Sequence, residues 1–488
     1  MQTVSQSPSF IENQKSAFDE TLVAEPHPVV SMGFPYNINA DLFISRTNGS
    51  GTVTQSGVSA LVKTAAGTSS FAQLLTKRTL KYNPGQGTMI RFAGFFDAGA
   101  ANNTQFVGYG SINDGFAFGY SGTAFGILRR YGGASETRTL TIATKSSHAE
   151  NITITLNGVT KSVAVTNGAD TTVTANEIAA ANYAETGGGW TTEAVGSTVI
   201  FRSYRSGALS GTYSLSGATS AVGTFAQTVV GVAATDSFVA STSWNADKAN
   251  GTAKLPSIDP TKGNVYQIRF EWLGYGCISY YIAEPTTGKF VLVHRIQYPN
   301  QANVTSINNP SLPFMIESVN TTNNTAIGPT ISSIGMFHEG PNNIRGVNRS
   351  IAASATGITT EKPVLTIRNK SVFQSKLNRI VVDTHDTTIS TDGTKNVTIK
   401  IYKDATLVAA SFTDIGTNVS PVAYDTAATS LTGGTLVHAR AIAKIDNVSI
   451  QHPHEQVHTL QPGEQHTITI TSSASVDVVV SFEWEELF

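Results

Sequence analysis

Short runs of β-branched and aromatic residues recur along this chain, each bounded by Gly, Asn, Asp or Ser, while the 3.6-residue apolar period of helices is almost missing. That pattern is the strand-and-turn signature of an all-β sandwich. The clearest case is Asn151-Ile-Thr-Ile-Thr-Leu156, then Asn157-Gly158, then Val159-Thr-Lys-Ser-Val-Ala-Val165. Asn-Gly between two alternating runs marks a tight hairpin, because a type I′ turn needs positive φ at both central residues. A second hairpin is expected from Ile278 to Ile296, with Gly288 in the left-handed position that closes its loop. Strands are also expected from Asn396 to Tyr402, from His466 to Thr471 and from Val476 to Trp484. One helix is expected near Thr174. Thr174-Ala-Asn-Glu177 fits a capping box, and Gly187-Gly-Gly189 stops the segment.

Composition narrows the function classes. Of 488 residues only 14% are charged, with a net charge of −2, against roughly 25% charged in ordinary soluble domains. The polar surface is therefore Ser, Thr, Asn, Gln and Gly. A near-neutral chain without a basic tract draws no affinity from phosphate neutralisation, so no nucleic-acid partner is expected. No apolar run approaches the ~18 residues of a membrane-spanning helix. The single cysteine, Cys277, rules out a disulfide framework or a cysteine-based zinc site and reads as a buried small hydrophobe. The first residues carry neither a basic nor an apolar segment, so no classical secretory signal is expected and Asn-X-Ser/Thr sequons such as Asn48 and Asn151 read as chance.

Four regions follow from changes of texture. Residues 1–26 form a polar arm, expected to dock on a neighbour. Residues 27–135 and 255–345 share an aromatic-rich style and read as one sandwich, split by a Thr/Ala/Val-rich inserted domain at 136–250. A Ser/Ala/Thr/Gly linker at 350–360 then leads to a C-terminal β-sandwich at 361–488.

Several strings carry a resemblance: Lys81-Tyr-Asn-Pro-Gly-Gln-Gly-Thr-Met-Ile-Arg-Phe92, Phe95-Phe-Asp-Ala-Gly99, Gln105-Phe-Val-Gly108 and Asp114-Gly-Phe-Ala-Phe-Gly-Tyr120. To these are added Asp259-Pro-Thr-Lys-Gly-Asn-Val-Tyr-Gln-Ile268, Trp272-Leu-Gly-Tyr-Gly276, His294-Arg-Ile-Gln-Tyr-Pro-Asn300 and Asn309-Pro-Ser-Leu-Pro-Phe314. The series resembles particle proteins of tailed phages and large DNA viruses, over about residues 27–345. The ending, from Pro462-Gly-Glu464 through Val476 to Glu486, is similar to the close of viral jelly-roll proteins. The resemblance implies a concanavalin-like jelly-roll sandwich with an inserted small β-rich domain bearing one short helix, then a C-terminal jelly roll. It implies a virion structural protein, on the exterior of the particle, made in the host cytoplasm. It supplies no catalytic motif. Few cysteines fit a cytosol-made exterior protein, and a low-charge surface suits packing between copies.

Candidate sites are few. His452, His454, Glu455 and His458 offer ligands of zinc type, against a solvated loop cluster in which Pro453 breaks the ladder. Asp383, His385 and Asp386 offer a carboxylate–imidazole pair, but no Gly-X-Ser-X-Gly stands nearby, and such pairs at loop starts stabilise turns. Glu483 and Glu485 share one side of a closing strand, a poor place for a glycosidase cleft. Trp190, Phe201, Tyr204, Tyr213 and Trp244 lie in or beside the insert. Exposed, rings such as Trp190, Tyr204 and Trp244 would stack on glycans; the alternative is that they are core. Gly108-Tyr-Gly110 and Gly119-Tyr-Ser-Gly122 lack the context of a phosphate cradle.

The expected protein is a non-enzymatic, cofactor-free structural component of a virus particle, capsid-, spike- or tail-associated. It would assemble as a homo-oligomer, a trimer by preference. The arm would contact other particle proteins and the insert would touch host glycans. A surface carbohydrate-binding adhesin and a polysaccharide-degrading enzyme are the alternatives.

Overall fold

The computed structural model describes residues 25–66, 69–340, 346–374, 376–392, 395–442, 448–451 and 458–488. It is an all-β protein of jelly-roll-type sandwiches in which antiparallel pairing dominates every sheet.

The central sandwich is assembled from both sides of the interruption. Its first sheet runs Phe290–Ile296, Ile278–Ala283, Asn264–Phe270, Thr88–Phe96, Pro329–Glu339, Ser59–Lys63 and Thr52–Ser56, with Pro26–Gly33 also on Pro329–Glu339. The second runs Thr235–Ala240, Ala124–Tyr131, Gly115–Ser121, Asn103–Gly110, Phe314–Asn320, Phe71–Thr76 and Phe43–Asn48. Between them lies a core of interlocked rings. Phe92 stacks on Tyr266 with centroids 4.9 Å apart, and Phe118 meets Tyr280 edge-on at 5.3 Å, the offset geometries that aromatic quadrupoles favour. Leu74, Val107 and Ile316 face this core, whereas Leu75, Phe106, Leu128 and Met315 form a second apolar cluster. The strand Phe71–Thr76 is buried at all six positions, so the polar residues on its far side need partners inside the protein.

The insert is two small sheets closed around Leu140, Ile154, Ile178, Tyr183, Trp190 and Phe201. Asn157 and Gly158 take φ of 49° and 82° at the tip of the expected hairpin, and Gly288 takes 68° in the second. The helix spans Thr171–Ala180, three residues earlier than the expected start. Asp170 is the true N-cap, accepting from the Thr172 and Val173 amides. Thr174 is instead buried within the helix, accepting from the Ser146 amide, and Glu177 takes the Thr166 amide.

Two boundaries differ from the expected ones. Thr235–Ala240 pairs with Ala124–Tyr131 of the central sandwich, and Trp244 packs in its core, so the chain has left the insert before residue 235. Residues 350–360 are no linker. Val347–Ile358 is a strand paired along Val476–Leu487, its apolar side chains alternating inward at Ile351, Ala353 and Ala355. The C-terminal sandwich therefore starts by residue 347. Its second sheet is Thr413–Asp414, Val422–Asp425, Lys362–Asn369, Gln465–Ser472, Val397–Lys403 and Thr435–Ile442, and Ile367, Ile399, Ile468, Val480 and Trp484 fill the space between.

Candidate functional site

The aromatic candidates are core residues. Trp190, Tyr204 and Trp244 are 2%, 7% and 3% exposed. Trp190 meets Tyr213 edge-on at 5.9 Å inside the insert. Trp244 lies against Phe118 and Phe125 in the central core and donates through Nε1 to the Val239 carbonyl at 3.3 Å. Tyr204 sits at the boundary between insert and central sandwich, its ring 6.3 Å from Phe71. This corrects the picture of exposed stacking platforms. A ring needs a free face to bind a sugar, and here both faces serve packing.

His452 and His454 lie outside the described residues. His458 begins the short strand His458–Leu460, its backbone opposite Thr384. Among the described residues no three His, Cys, Asp or Glu side chains cluster to hold a metal ion. Asp383, His385 and Asp386 fall within the strand Val381–Thr391 rather than at a loop start. Asp383 accepts from Thr459 Oγ1 at 2.8 Å, and burial pushes its carboxyl above the usual range. His385 Nε2 lies 3.4 Å from Glu485. Glu483 and Glu485 share the outer side of Val476–Leu487, while Glu486 turns inward. It accepts from Arg349 Nε at 3.1 Å, from Trp484 Nε1 at 3.2 Å and from the Ser420 hydroxyl. Cys277 is half-buried rather than fully enclosed.

What the structure brings together instead is charge, first inside the central sandwich and then at the seams between units. Arg130 of the central sandwich donates to both Asp236 oxygens at 2.9 and 3.0 Å and to Glu317 at 2.9 Å. Glu317 also accepts from Gln73 at 2.8 Å. Burial alone would lower the Arg130 pKa, but Glu317 and Asp236 outweigh it and hold the guanidinium above its ordinary value. From insert to central sandwich, Asn48 donates to the Ala184 carbonyl, the Gly49 amide to Glu185, and Arg205 to the Ser69 carbonyl. From insert to C-terminal sandwich, Arg202 donates to Ser371 Oγ at 2.7 Å, Ser371 donates to Glu193, and Arg368 donates to the Ala194 carbonyl at 3.1 Å. Between central and C-terminal sandwiches, Lys77 and Lys403 flank Glu464 at 3.3 and 2.9 Å. A cavity of about 290 Å³ beside them is lined by Asp41, Lys77, Arg78, Lys403, Gln461 and Glu464.

A broader concavity of about 460 Å³ lies on the first central sheet, floored by Gly33, Ala93 and Gly335 and edged by Met32, Val265 and Phe337. The smaller hollow is lined by two carboxylates, Asp41 and Glu464, with Glu464 held by Lys77 and Lys403, and the larger by none. Chemically, the seams tie three units into one body. Sequence reasoning looked to Trp and His and passed over these arginines. The available signal was Arg202-Ser-Tyr-Arg205, with its bulky cations inside a strand-like run.

No family model matches this chain, and no curated protein matches it. Among solved structures it is similar to a chain described under the triple jelly roll fold and turret assembly in an archaeal virus. That match has 8% identity and a TM-score of 0.17, covering 96% of this chain and 97% of that one. A chain from the atomic structure of Sulfolobus Turreted Icosahedral Virus matches at 8% identity and a TM-score of 0.17, covering 95% and 98%. At that TM-score the likeness carries no argument about what this chain does.

Proposed function

We propose that this chain is a non-enzymatic structural component of a virus particle, displayed on its exterior and assembled from several copies, a trimer by preference. One observation carries the reading: β-sandwich units tied to one another by side-chain hydrogen bonds from Asn48, Arg202, Arg205 and Arg368 and by the Lys77–Glu464 ion pair, a construction suited to mechanical stiffness. The particle-protein strings within residues 27–345 and the scarcity of surface charge support it. The arm at 1–26 is assigned to contact with other capsid or tail proteins, and contact with host glycans to the assembled particle. Peptide mass spectrometry of purified virions tests the reading. Presence at a stoichiometric copy number is expected, and absence overturns it. Native mass spectrometry of the purified chain is expected to give three copies. Release of reducing ends from host polysaccharide would overturn the non-enzymatic assignment.

A further inference from the structure

We infer that the place where the three units meet holds a multivalent oxyanion of the phosphate or sulfate class, gripped by one arginine from each unit: Arg46, Arg202 and Arg379. Arg46 stands on the second central sheet, in Phe43–Asn48. Its guanidinium carbon lies 5.7 Å from the centre of the Tyr204 ring of the insert. Arg202 leaves the same strand, Thr198–Ser206, two residues earlier and therefore on the same side. It reaches Ser371 of the C-terminal sandwich at 2.7 Å. Ser371 opens a small hairpin whose closing residue, Asn378, donates its amide back to the Ser371 carbonyl at 3.0 Å and its side-chain amide to Asn369 at 2.7 Å. That closure sets Arg379, the next residue, beside the same junction.

The charges do not balance there. Glu193 pairs with Arg202 at 3.4 Å. Asp114 faces Arg379, with the Gly132 and Asn308 amides, both at 3.1 Å, on one of its two oxygens. Among the described residues no acidic side chain pairs with Arg46. Its electrostatic neighbours are the other two arginines and Tyr204, and burial pushes its pKa down. The Nε atoms of Arg46 and Arg202 are shut off from solvent and have no hydrogen-bond acceptor. Like charges drawn together repel, and an anion placed among them offsets that repulsion. Guanidinium forks arriving from three units present donors that match a tetrahedral oxyanion.

The test uses the full chain, with inorganic phosphate and sulfate as probes. At constant ionic strength held with chloride, each is expected to raise the thermal midpoint by several degrees in a saturable manner, since a ligand of the folded state stabilises by mass action. Calorimetric titration with phosphate is expected to show one site. R46Q and R379Q should bind about 10–100-fold more weakly, the effect of losing one charge-assisted hydrogen bond. R269Q, which removes an arginine paired with Glu339 elsewhere, should leave binding unchanged. A response matched by chloride, or one that never saturates, means an adventitious ion only and overturns the inference. So does full binding by R46Q. If R46Q fails to fold, phosphorus-31 NMR of phosphate with the wild-type chain and with R379Q decides in the same terms.

Discussion

Arg130 and Glu317 show what a buried charge does in a charge-poor protein. Each is answered twice, Arg130 by Asp236 and Glu317 and Glu317 by Arg130 and Gln73, so neither is left desolvated and unpaired. Removing one partner is the damaging change. Arg130→Met is expected to lower stability by about 3–5 kcal/mol, because Glu317 keeps its burial and loses its cation. The Arg130→Met, Glu317→Met double variant should lose less than the single one. Denaturant unfolding of both variants checks this. Lys81 gives a pH signature. Burial lowers its pKa to about 8, with Glu485 and Asp383 opposing, against an ordinary value near 10.4. The folded state therefore disfavours the charged form, and stability contributed at this site rises as pH climbs from about 8 towards the unfolded value. Lys81→Met is expected to raise the thermal midpoint at pH 7 and to lose that advantage by pH 10. An equal gain at both values would refute the assignment.

At the scale of elements, acceptors and close approaches decide which turns and strands persist. Glu150 at the start of the strand Glu150–Leu156 collects the Thr219 amide at 2.6 Å, the Ser220 hydroxyl at 2.6 Å and the Ser146 hydroxyl at 2.9 Å. Led by the Ser220 bond, these hold its carboxyl far below the usual range. Its contribution is thus present above the ordinary glutamate pKa and lost as pH falls below it. Hydrogen exchange in residues 146–156 and 219–221 is expected to accelerate below about pH 4 in the natural chain, and Glu150→Gln should exchange faster already at pH 7. Gly119 illustrates the second constraint. A Cβ there would lie 1.7 Å from the Gln105 carbonyl oxygen on the neighbouring strand. Gly119→Ala must push Gly115–Ser121 away from Asn103–Gly110, with an expected loss of at least about 1–3 kcal/mol, read from the denaturation midpoint. The hairpin at Asn157-Gly158 was legible because its turn chemistry is local. The helix starts at Thr171 rather than near Thr174 because the Asp170 carboxylate reaches two early amides.

Across the whole molecule, rigidity depends on a handful of ties between units rather than on one continuous core. Glu193→Ala removes the acceptor that holds both Ser371 and Arg202. It is expected to speed amide exchange around residues 369–374 while leaving exchange in the strand Thr88–Phe96 unchanged, since the central core makes no use of that contact. Period-two alternation, Gly/Asn turn chemistry and the missing helical period determined by themselves that this is an all-β chain with an insert carrying one short helix, because each is written in neighbouring residues. The aromatic placements were decided only by the fold: the sequence marks Trp190, Tyr204 and Trp244 as large rings, and whether a ring faces solvent depends on what packs over it. The insert exit and the start of the C-terminal sandwich were likewise decided by partners far along the chain. Thr235–Ala240 belongs to Ala124–Tyr131, and the Ser/Ala/Thr run at Val347–Ile358 becomes a strand because Val476–Leu487 offers it an edge. Hydrogen-bond partners more than a hundred residues apart leave no trace in composition, which is why the arginine seams emerged only from the tertiary structure.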